Sequence, residues 1–301
     1  MWDSFAARAY AGNVAGVVLD PADLSGHQIH PVAAELGAPT TGFVTGTNTL
    51  EPLRTRFFTP TEEIAMCGHV VVALASALRD AGVKSRRLQL SADAGLVGVR
   101  LLDDQEVAIE LPPWARLSPS VTPSDVWKAL DLDGGALDSG GLLGLASAGL
   151  RHLFVPIRDV AKLSRLDPDP LKIRALRARV AFDTLGAYTV VDRAEGEVTV
   201  RLRDFTAPIG VAEEPASGTT TGALTGLLAA SLPEVPERFT LLAHQGVELG
   251  RPSEIRGVVW SAPRGRLLEV RGRAYRTLVG RMAIPGGMGE ARLSVVAGLI
   301  G

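Results

Sequence analysis

The fold is decided by the stretch RFFTPTEEIAMCGHVVVALASAL, residues 56–78, which has the pattern of a strand, a turn and a helix. Cys67, Gly68 and His69 form the turn, and an unbroken run of small apolar residues follows them. A helix that is apolar on all its faces is typical of a protein interior. The sequence therefore predicts a buried helix over 69–82 with a strand leading into it.

The same order of features recurs in the second half of the chain, in RDFTAPIGVAEEPASGTTTGALTGLLAA, residues 203–230. Both stretches contain Phe-Thr, a proline, acidic residues, a small polar turn with glycine, and a helix pattern. Such internal similarity indicates two halves built on one plan. The alternative, two unrelated strand-helix units of similar composition, stays open at this point.

The rest of the chain reads as a mixture of strands and helices, which predicts the α+β class. Short runs rich in β-branched residues predict strands near 13–20, 41–46, 53–59, 97–102, 107–112, 152–157, 187–192 and 198–205. Helical patterns cover 27–37, 69–82, 123–130, about 168–177 and 219–231.

The domain boundary is predicted from the stretch LPPWARLSPSVTPSD, residues 111–125, which is rich in proline and serine. We expect an N-terminal domain over 1–115, completed by the C-terminal residues 285–301. The second domain is expected to cover 116–284.

Composition excludes several classes of function. With 46% hydrophobic residues, 21% charged residues and a net charge of −2, the chain resembles a soluble globular protein. Because 31 Lys and Arg balance 33 Asp and Glu, no basic surface for nucleic acid is expected. The N-terminus lacks the apolar core of a signal peptide, and no segment reaches the roughly 18 apolar residues of a membrane helix. We expect a cytoplasmic protein without a membrane partner.

Metal and disulfide chemistry are not expected either. The chain has one cysteine, so it cannot form an internal disulfide, and no Cys and His cluster has the spacing of a zinc site. The two glycine turns suggest a different ligand, because unpaired N–H groups and the dipole at a helix start attract anions. If the two helices lie side by side at the domain junction, the N–H groups of Gly68, His69, Gly218 and Thr219 would hold one carboxylate.

At these residues the sequence resembles the PhzF-like family of phenazine-biosynthesis isomerases, whose fold is similar to that of diaminopimelate epimerase and proline racemase. The resemblance spans nearly the whole chain and is carried by DSFAARAYAGNVAGVVLD (3–20), RFFTPTEEIAMCGH (56–69), SAGLRHLFVPI (147–157), EEPASGTTTGAL (213–224) and HQGVELGRPSEI (244–255). It implies two similar domains, each a curled mixed sheet around a central helix, with the active site in the cleft between them. It also implies no cofactor, no metal and a homodimer.

The resemblance does not extend to the family's usual acid/base. That group is a glutamate in a segment like NLSETAF, and the matching segment here, GAPTTGF, places Thr40 at its position. A threonine hydroxyl cannot act as a base near neutral pH, so Thr40 is expected to contact substrate without moving protons. Elsewhere the match holds better: His69 lies in the Gly-His element, Glu214 replaces the Asp of EDPATGS, and Thr219 replaces its Ser.

Cys67 matches the first of the two catalytic cysteines of the similar epimerases, and the counterpart of the second is Ser217 or Thr219. Racemisation with two thiols is therefore not expected. Two interpretations of Cys67 stay open, an inert packed residue and the proton-transferring group; a helix start lowers the pKa of a thiol and favours the second. Asn13 is expected to donate or accept hydrogen bonds in the pocket, with a turn-stabilising role as the alternative.

The sequence thus predicts a cofactor-independent isomerase that shifts a proton and a double bond in a small carboxylate. Cys67, His69 and Glu214 are the predicted catalytic residues, and Asn13, Thr40, Gly68, Ser217, Gly218 and Thr219 the predicted substrate-binding ones. The expected setting is secondary metabolism, such as antibiotic biosynthesis, with a pyrroline carboxylate of an alkylproline pathway as the specific substrate class. A dehydratase of a hydroxylated cyclic amino acid and a non-catalytic carboxylate-binding protein are the alternatives.

Overall fold

The contacts along the chain divide it into two units. The computed structural model describes residues 1–21, 24, 26–45, 52–118, 121–132, 135–232, 234, 236–263 and 265–283. The first unit contains Met1–Glu110 and the described residues from Arg271 onward, and the second contains Leu111–Val270.

The first unit consists mainly of strands, with two α-helices among them. Its elements are β1 (Trp2–Ser4), β2 (Asn13–Leu19), α1 (Gly26–Leu36), β3 (Thr40–Thr45), β4 (Leu53–Phe58), β5 (Glu63–Ile64), α2 (Gly68–Asp80), β6 (Arg87–Ala92), β7 (Gly95–Leu101), a 3₁₀ turn (Asp103–Gln105) and β8 (Val107–Glu110).

The second unit is longer and has three further helices besides its central one. Its elements are β9 (Ala115–Leu117), α3 (Pro123–Leu130), β10 (Gly144–Ser147), β11 (Arg151–Pro156), α4 (Val160–Ser164), α5 (Pro170–Arg179), β12 (Thr184–Ala194), β13 (Glu197–Phe205), a 3₁₀ turn (Ala207–Ile209), β14 (Glu213–Glu214), α6 (Gly218–Ala229), β15 (Arg238–Gln245), β16 (Ser253–Ala262) and β17 (Gly265–Gly272). A last strand, β18 (Ala274–Arg276), returns to the first unit and pairs with β1.

Helix α2 is the centre of the first unit. It packs against β1, β2, β3, β7, β8 and β18, and its residues from His69 to Leu78 are all buried. A strand can approach this helix closely because Gly42 has no side chain; a Cβ there would lie 2.6 Å from Cγ1 of Val70. The all-round apolar sequence of α2 is thus explained by strands on several sides.

Helix α6 has the same place in the second unit. It packs against β9, β10, β11, β15 and β16, and nearly every residue of Gly218–Ala229 is buried. Gly226 lies directly against the ring of Trp114, where a Cβ would overlap the indole. Small residues on both central helices therefore serve close packing against the surrounding sheet.

The strand registers show that the two units repeat one plan. In the first unit, β2 runs parallel to β3, β4 is antiparallel to β3, and the two-residue β5 pairs with the end of β4 before α2 begins. In the second unit, β11, β12, β13 and β14 repeat these pairings before α6 begins. The predicted repeat is therefore present in the structure, and the predicted α+β class is confirmed.

The domain boundaries differ from those read in the sequence. The first lies between Glu110 and Leu111, where the sequence suggested 115/116, and the chain returns to the first unit at Arg271. The return is early because β18 pairs with β1 at the other end of the chain, as in Asp3 opposite Tyr275, and no local pattern shows such a pairing. The predicted completion by residues 285–301 lies outside the described residues. In the described part of the chain, no helix is long and apolar enough to cross a membrane.

Candidate functional site

The thiol of Cys67 lies at the start of the central helix of the first unit. Cys67 is the N-cap residue of α2, it has extended backbone angles, and its side chain makes no capping hydrogen bond. The residue is partly exposed. Its Sγ lies 3.3 Å from Nδ1 and 3.9 Å from Nε2 of His69. The thiol is thus accessible and directed at an imidazole.

His69 is buried behind this thiol and is held by Asn13. The Asn13 side-chain amide donates to His69 Nδ1 over 3.3 Å, which makes Nδ1 an acceptor and leaves the ring proton on Nε2. Burial lowers the pKa of His69 to about 4, and a hydrogen bond with the backbone of Val14 opposes this shift. His69 is therefore neutral near pH 7, and its Nδ1 faces both the Asn13 amide and the Cys67 thiol.

Thr40 does not take part in these contacts. It is the buried first residue of β3 and pairs with Ala15 of the parallel neighbour β2. Gly68, in contrast, belongs to the thiol turn, since it is the first residue of α2. A Cβ at Gly68 would meet no atom within 4 Å, so the space beside this N–H group is open.

The second unit has a matching turn at the start of α6. Ser217 is its N-cap, and Ser217 Oγ accepts from the backbone N–H of Thr220 over 3.3 Å. Gln245 fixes the approach to the turn, because its Oε1 accepts from the N–H of Ser217 (3.3 Å) and its Nε2 donates to the carbonyl of Glu214 (2.6 Å). Thr219 Oγ1 lies 3.4 Å from Ser217 Oγ. Glu214, Ser217, Gly218 and Thr219 thus lie together at this turn, and their role in binding a substrate stays a prediction.

A polar cluster lies buried directly behind this second turn. Thr220 Oγ1 donates to Asp204 Oδ2 over 2.6 Å and lies 3.2 Å from His152 Nδ1, which is 2.8 Å from Thr184 Oγ1. Burial raises the pKa of Asp204 to about 6, against the hydrogen bond from Thr220 and the nearby hydroxyls of Thr184 and Ser217, which lower it. Burial lowers the pKa of His152 to about 3. The run GTTTG and the charged residue in RDF were the available indications of this cluster.

One acidic residue before each turn forms an ion pair with an arginine of the preceding strand. In the first unit Arg56 forms a two-bond ion pair with Glu63 and its guanidinium lies 4.9 Å from the ring of Phe58. In the second unit Arg203 pairs with Glu213 in the same way and lies 4.9 Å from the ring of Phe205. An arginine thus holds each of these carboxylates, and the pair in the first unit is the more exposed of the two.

The described side chains also bear on metal binding. The described part of the chain contains no group of three or more His, Cys, Asp or Glu side chains that could hold a metal ion. The expectation of a reaction without metal or cofactor stays a prediction.

The buried histidine of the first unit makes stability depend on pH. In the unfolded chain His69 titrates near 6.5, whereas in the fold its pKa is about 4. Between these pH values the unfolded state binds a proton that the native state does not. The native state therefore keeps its full stability above pH 6.5 and loses stability as the pH falls below that value. We expect the free energy of unfolding of the first unit to fall by on the order of 1.4 kcal/mol per pH unit in that window.

Replacing His69 by Gln should flatten this pH dependence in urea unfolding at pH 7, 6 and 5. The second unit is the comparison, because its two buried groups oppose each other. His152 destabilises the fold as pH falls below 6.5, whereas Asp204, with its raised pKa, contributes stability at low pH that is lost as pH rises through about 6. An equal slope in the wild-type protein and the His69→Gln variant would contradict the assignment.

Comparison with known proteins places this arrangement in a family. Residues 2–280 match the family of PhzC-PhzF, phenazine biosynthesis-like proteins. A Deinococcus radiodurans protein named an uncharacterized isomerase is 37% identical over 255 residues, covering 81% of this chain and 80% of its own. The trans-2,3-dihydro-3-hydroxyanthranilate isomerase of Pseudomonas aeruginosa is 31% identical, covering 84% of this chain and 87% of its own.

The fold gives the same result. The crystal structure of a PhzF-family phenazine biosynthesis protein from Bacillus anthracis superposes with a TM-score of 0.80 at 21% identity, covering 92% of this chain and 97% of that one. The family match over nearly the whole sequence and the shared fold agree with the repeated strand-turn-helix plan. The chain belongs to the PhzF-like family of phenazine biosynthesis-like proteins.

Proposed function

We propose that the protein is a cofactor-independent isomerase that moves a proton and a double bond in a small carboxylate of secondary metabolism. Family membership and the isomerase names of its relatives support the reaction class. The proposed substrate is a cyclic amino or imino acid, such as a pyrroline carboxylate. The relative from Pseudomonas aeruginosa supports this class, because its name describes a cyclic amino acid as substrate.

The observation that carries the proposal is the contact between Cys67 Sγ and His69 Nδ1 at 3.3 Å. A partly exposed thiol can reach a substrate carbon, and the neutral imidazole of His69 holds the thiol in position from behind. The N-terminal end of α2 favours the thiolate form, which is the base. Cys67 then removes a proton from one carbon, and the protonated thiol returns a proton to another carbon of the shifted double bond.

Helix starts supply the groups that would bind the substrate carboxylate. At α2 the cap side chain bonds none of the first N–H groups, so those of Gly68 and His69 are available donors for an anion. At α6, the Ser217 side chain accepts from the N–H of Thr220, the third residue of the helix. The cap therefore does not use the N–H groups of Gly218 and Thr219, the first two residues. We propose that these groups, with Asn13 and Thr40, contact the substrate, and that Glu214 is a second proton-transfer group. The resemblance supports a cytoplasmic homodimer as the acting form.

Hydrogen exchange in D₂O tests the proposed function. The purified protein is incubated with pyrroline-2-carboxylate or trans-2,3-dihydro-3-hydroxyanthranilate, and the recovered compounds are examined by mass spectrometry and NMR. We expect deuterium at the carbon that gains or loses the double bond, at unchanged elemental composition. Loss of water from the product would identify a dehydratase instead. Binding of the carboxylate without deuterium uptake would overturn the proposal in favour of a binding protein.

A further inference from the structure

The second unit contains a continuous chain of hydroxyl groups between its helix start and a buried carboxyl group. Ser217 Oγ, partly exposed, lies 2.8 Å from Thr220 Oγ1, and Thr220 Oγ1 lies 2.6 Å from Asp204 Oδ2. Asp204 and Thr220 are fully buried. The chain therefore leads from an accessible oxygen to an acid that solvent does not reach.

The fold does not require this cluster, because the first unit has the same frame without it. The strand registers match position by position: Ala15 faces Thr40 as His152 faces Thr184, and Gly42 faces Phe57 as Gly186 faces Asp204. The helices match at their caps, Cys67 and Ser217, so that Val70 takes the place of Thr220. The first unit thus fills with Ala15, Phe57 and Val70 the space where the second unit has His152, Asp204 and Thr220.

The polar cluster of the second unit also costs more folding free energy than the apolar residues at the same positions of the first unit. Asp204 Oδ1 and His152 Nε2 are buried and have no hydrogen-bond partner among the described residues. A buried polar atom without a partner costs on the order of 1–3 kcal/mol. Since apolar residues occupy the same positions in the first unit, a structural role does not explain the cluster.

We propose that Asp204 is a positioning residue which, through the hydroxyl of Thr220, determines whether the Ser217 hydroxyl donates or accepts a hydrogen bond, and that the three groups form a proton relay. The proposal rests on the proposed function in so far as Ser217 contacts the substrate. His152 Nδ1 lies between the hydroxyls of Thr184 (2.8 Å) and Thr220 (3.2 Å) and so helps to fix the position of the Thr220 hydroxyl.

Two arrangements of the same heavy atoms make the relay work. When Asp204 is ionised, Thr220 donates to Oδ2 and Ser217 donates to Thr220, so that the Ser217 oxygen faces outward as an acceptor. When Asp204 is protonated, it donates to Thr220, Thr220 donates to Ser217, and the Ser217 proton faces outward. A proton that arrives on Ser217 Oγ displaces the Ser217 proton to Thr220 and the Thr220 proton to Asp204 Oδ2. Each step breaks one O–H bond and forms another.

The charged and titratable groups around Asp204 are consistent with a change of charge near neutral pH. Strand β11 contributes His152, which burial keeps neutral, and β14 contributes Glu213 and Glu214. Glu213 raises the pKa of Asp204 beyond the effect of burial, although Arg203 holds its carboxylate. Strand β12 and helix α6 contribute the hydroxyls of Thr184, Ser217 and Thr220, which lower it.

Isosteric threonine replacements on one helix turn test the relay. Thr220→Val removes the central hydroxyl, and Thr221→Val is the matched control, because Thr221 is equally buried and its Oγ1 has no hydrogen-bond partner among the described residues. Infrared spectroscopy follows the C=O band of a protonated carboxyl group during a pH titration, with Asp204→Asn identifying the band. We expect a midpoint near pH 6 in the wild type and in Thr221→Val. In Thr220→Val it should rise by about one unit, because the carboxylate loses its donor.

Exchange of deuterium into pyrroline-2-carboxylate gives the second readout. Thr220→Val and Ser217→Ala should each lose about tenfold in rate, and the double variant no more than either, because a relay fails once it is interrupted. Thr221→Val should retain the wild-type rate. Additive losses, or an unchanged infrared midpoint in Thr220→Val, would overturn the relay. If the wild type shows no exchange at all, the proposed function fails, and the infrared comparison still decides whether Asp204 is coupled to Thr220.

Discussion

Replacing Cys67 with serine is expected to slow deuterium incorporation by at least about 100-fold while leaving the fold and carboxylate binding intact. A hydroxyl is far too weak an acid to exchange protons at neutral pH, and removal of a general acid/base typically costs about 100-fold or more. The fold should persist because the Cys67 side chain makes no capping hydrogen bond. Initial rates, circular dichroism and calorimetric titration with pyrroline-2-carboxylate measure the three quantities.

Alkylation gives an independent check of the same thiol. Since the chain has one cysteine, iodoacetamide can modify no other thiol, and the substrate should slow the inactivation. Asn13→Ala is the companion variant: it removes the donor to His69 Nδ1 and leaves the thiol in place. Near-normal turnover of Cys67→Ser would contradict the proposed role of the thiol and would direct attention to Glu214 and His69 as the acid/base pair.

Replacing Arg203 with methionine is expected to lower the free energy of unfolding by about 3–5 kcal/mol, because it leaves the Glu213 carboxylate buried and unpaired. The two side chains are each 8% exposed. Arg203 Nη1 also donates to the carbonyls of Leu163 (3.2 Å) and Leu166 (2.6 Å), and both of these hydrogen bonds would be lost. Urea unfolding monitored by circular dichroism measures the change.

The first unit supplies the matched control for this prediction. Arg56 and Glu63 form the same two-bond pair over the same aromatic position, but their side chains are 28% and 32% exposed. Arg56→Met should therefore cost less than about 1 kcal/mol, since water screens an exposed pair and can solvate the remaining carboxylate. The double variant Arg203→Met/Glu213→Gln should recover part of the loss. Equal effects of Arg203→Met and Arg56→Met would contradict the argument from burial.

Much of the fold follows from local patterns in the sequence. The predicted helices over 27–37 and 219–231 agree closely with Gly26–Leu36 and Gly218–Ala229, because glycine and proline mark where each can begin or end. The repeat of a strand, a turn and a helix also follows from local residue order. The last three long strands, β15, β16 and β17, were not predicted, since their sequences lack the strict alternation that marks a half-buried strand.

The candidate site was only partly predictable, because its contacts depend on strand pairing. Cys67 and His69 are two positions apart, so their contact at the helix start follows from the turn. Thr220 and His152 lie 68 positions apart and meet because α6 packs against β11. A buried aspartate looks like any other acidic residue in the sequence. Its surroundings, and therefore its pKa, are set by the register of three strands.

The absence of a capping bond at Cys67 has a consequence for how this protein could be stabilised. A serine, threonine, asparagine or aspartate at the N-cap typically adds about 1 kcal/mol to a helix, and α6 uses Ser217 in this way. Protein engineering aimed at thermal stability alone would therefore choose position 67 as an easy improvement. In doing so it would remove the thiol of the proposed reaction. Under the proposed mechanism, the poor cap at this position trades stability for activity, as expected where function opposes the most stable sequence.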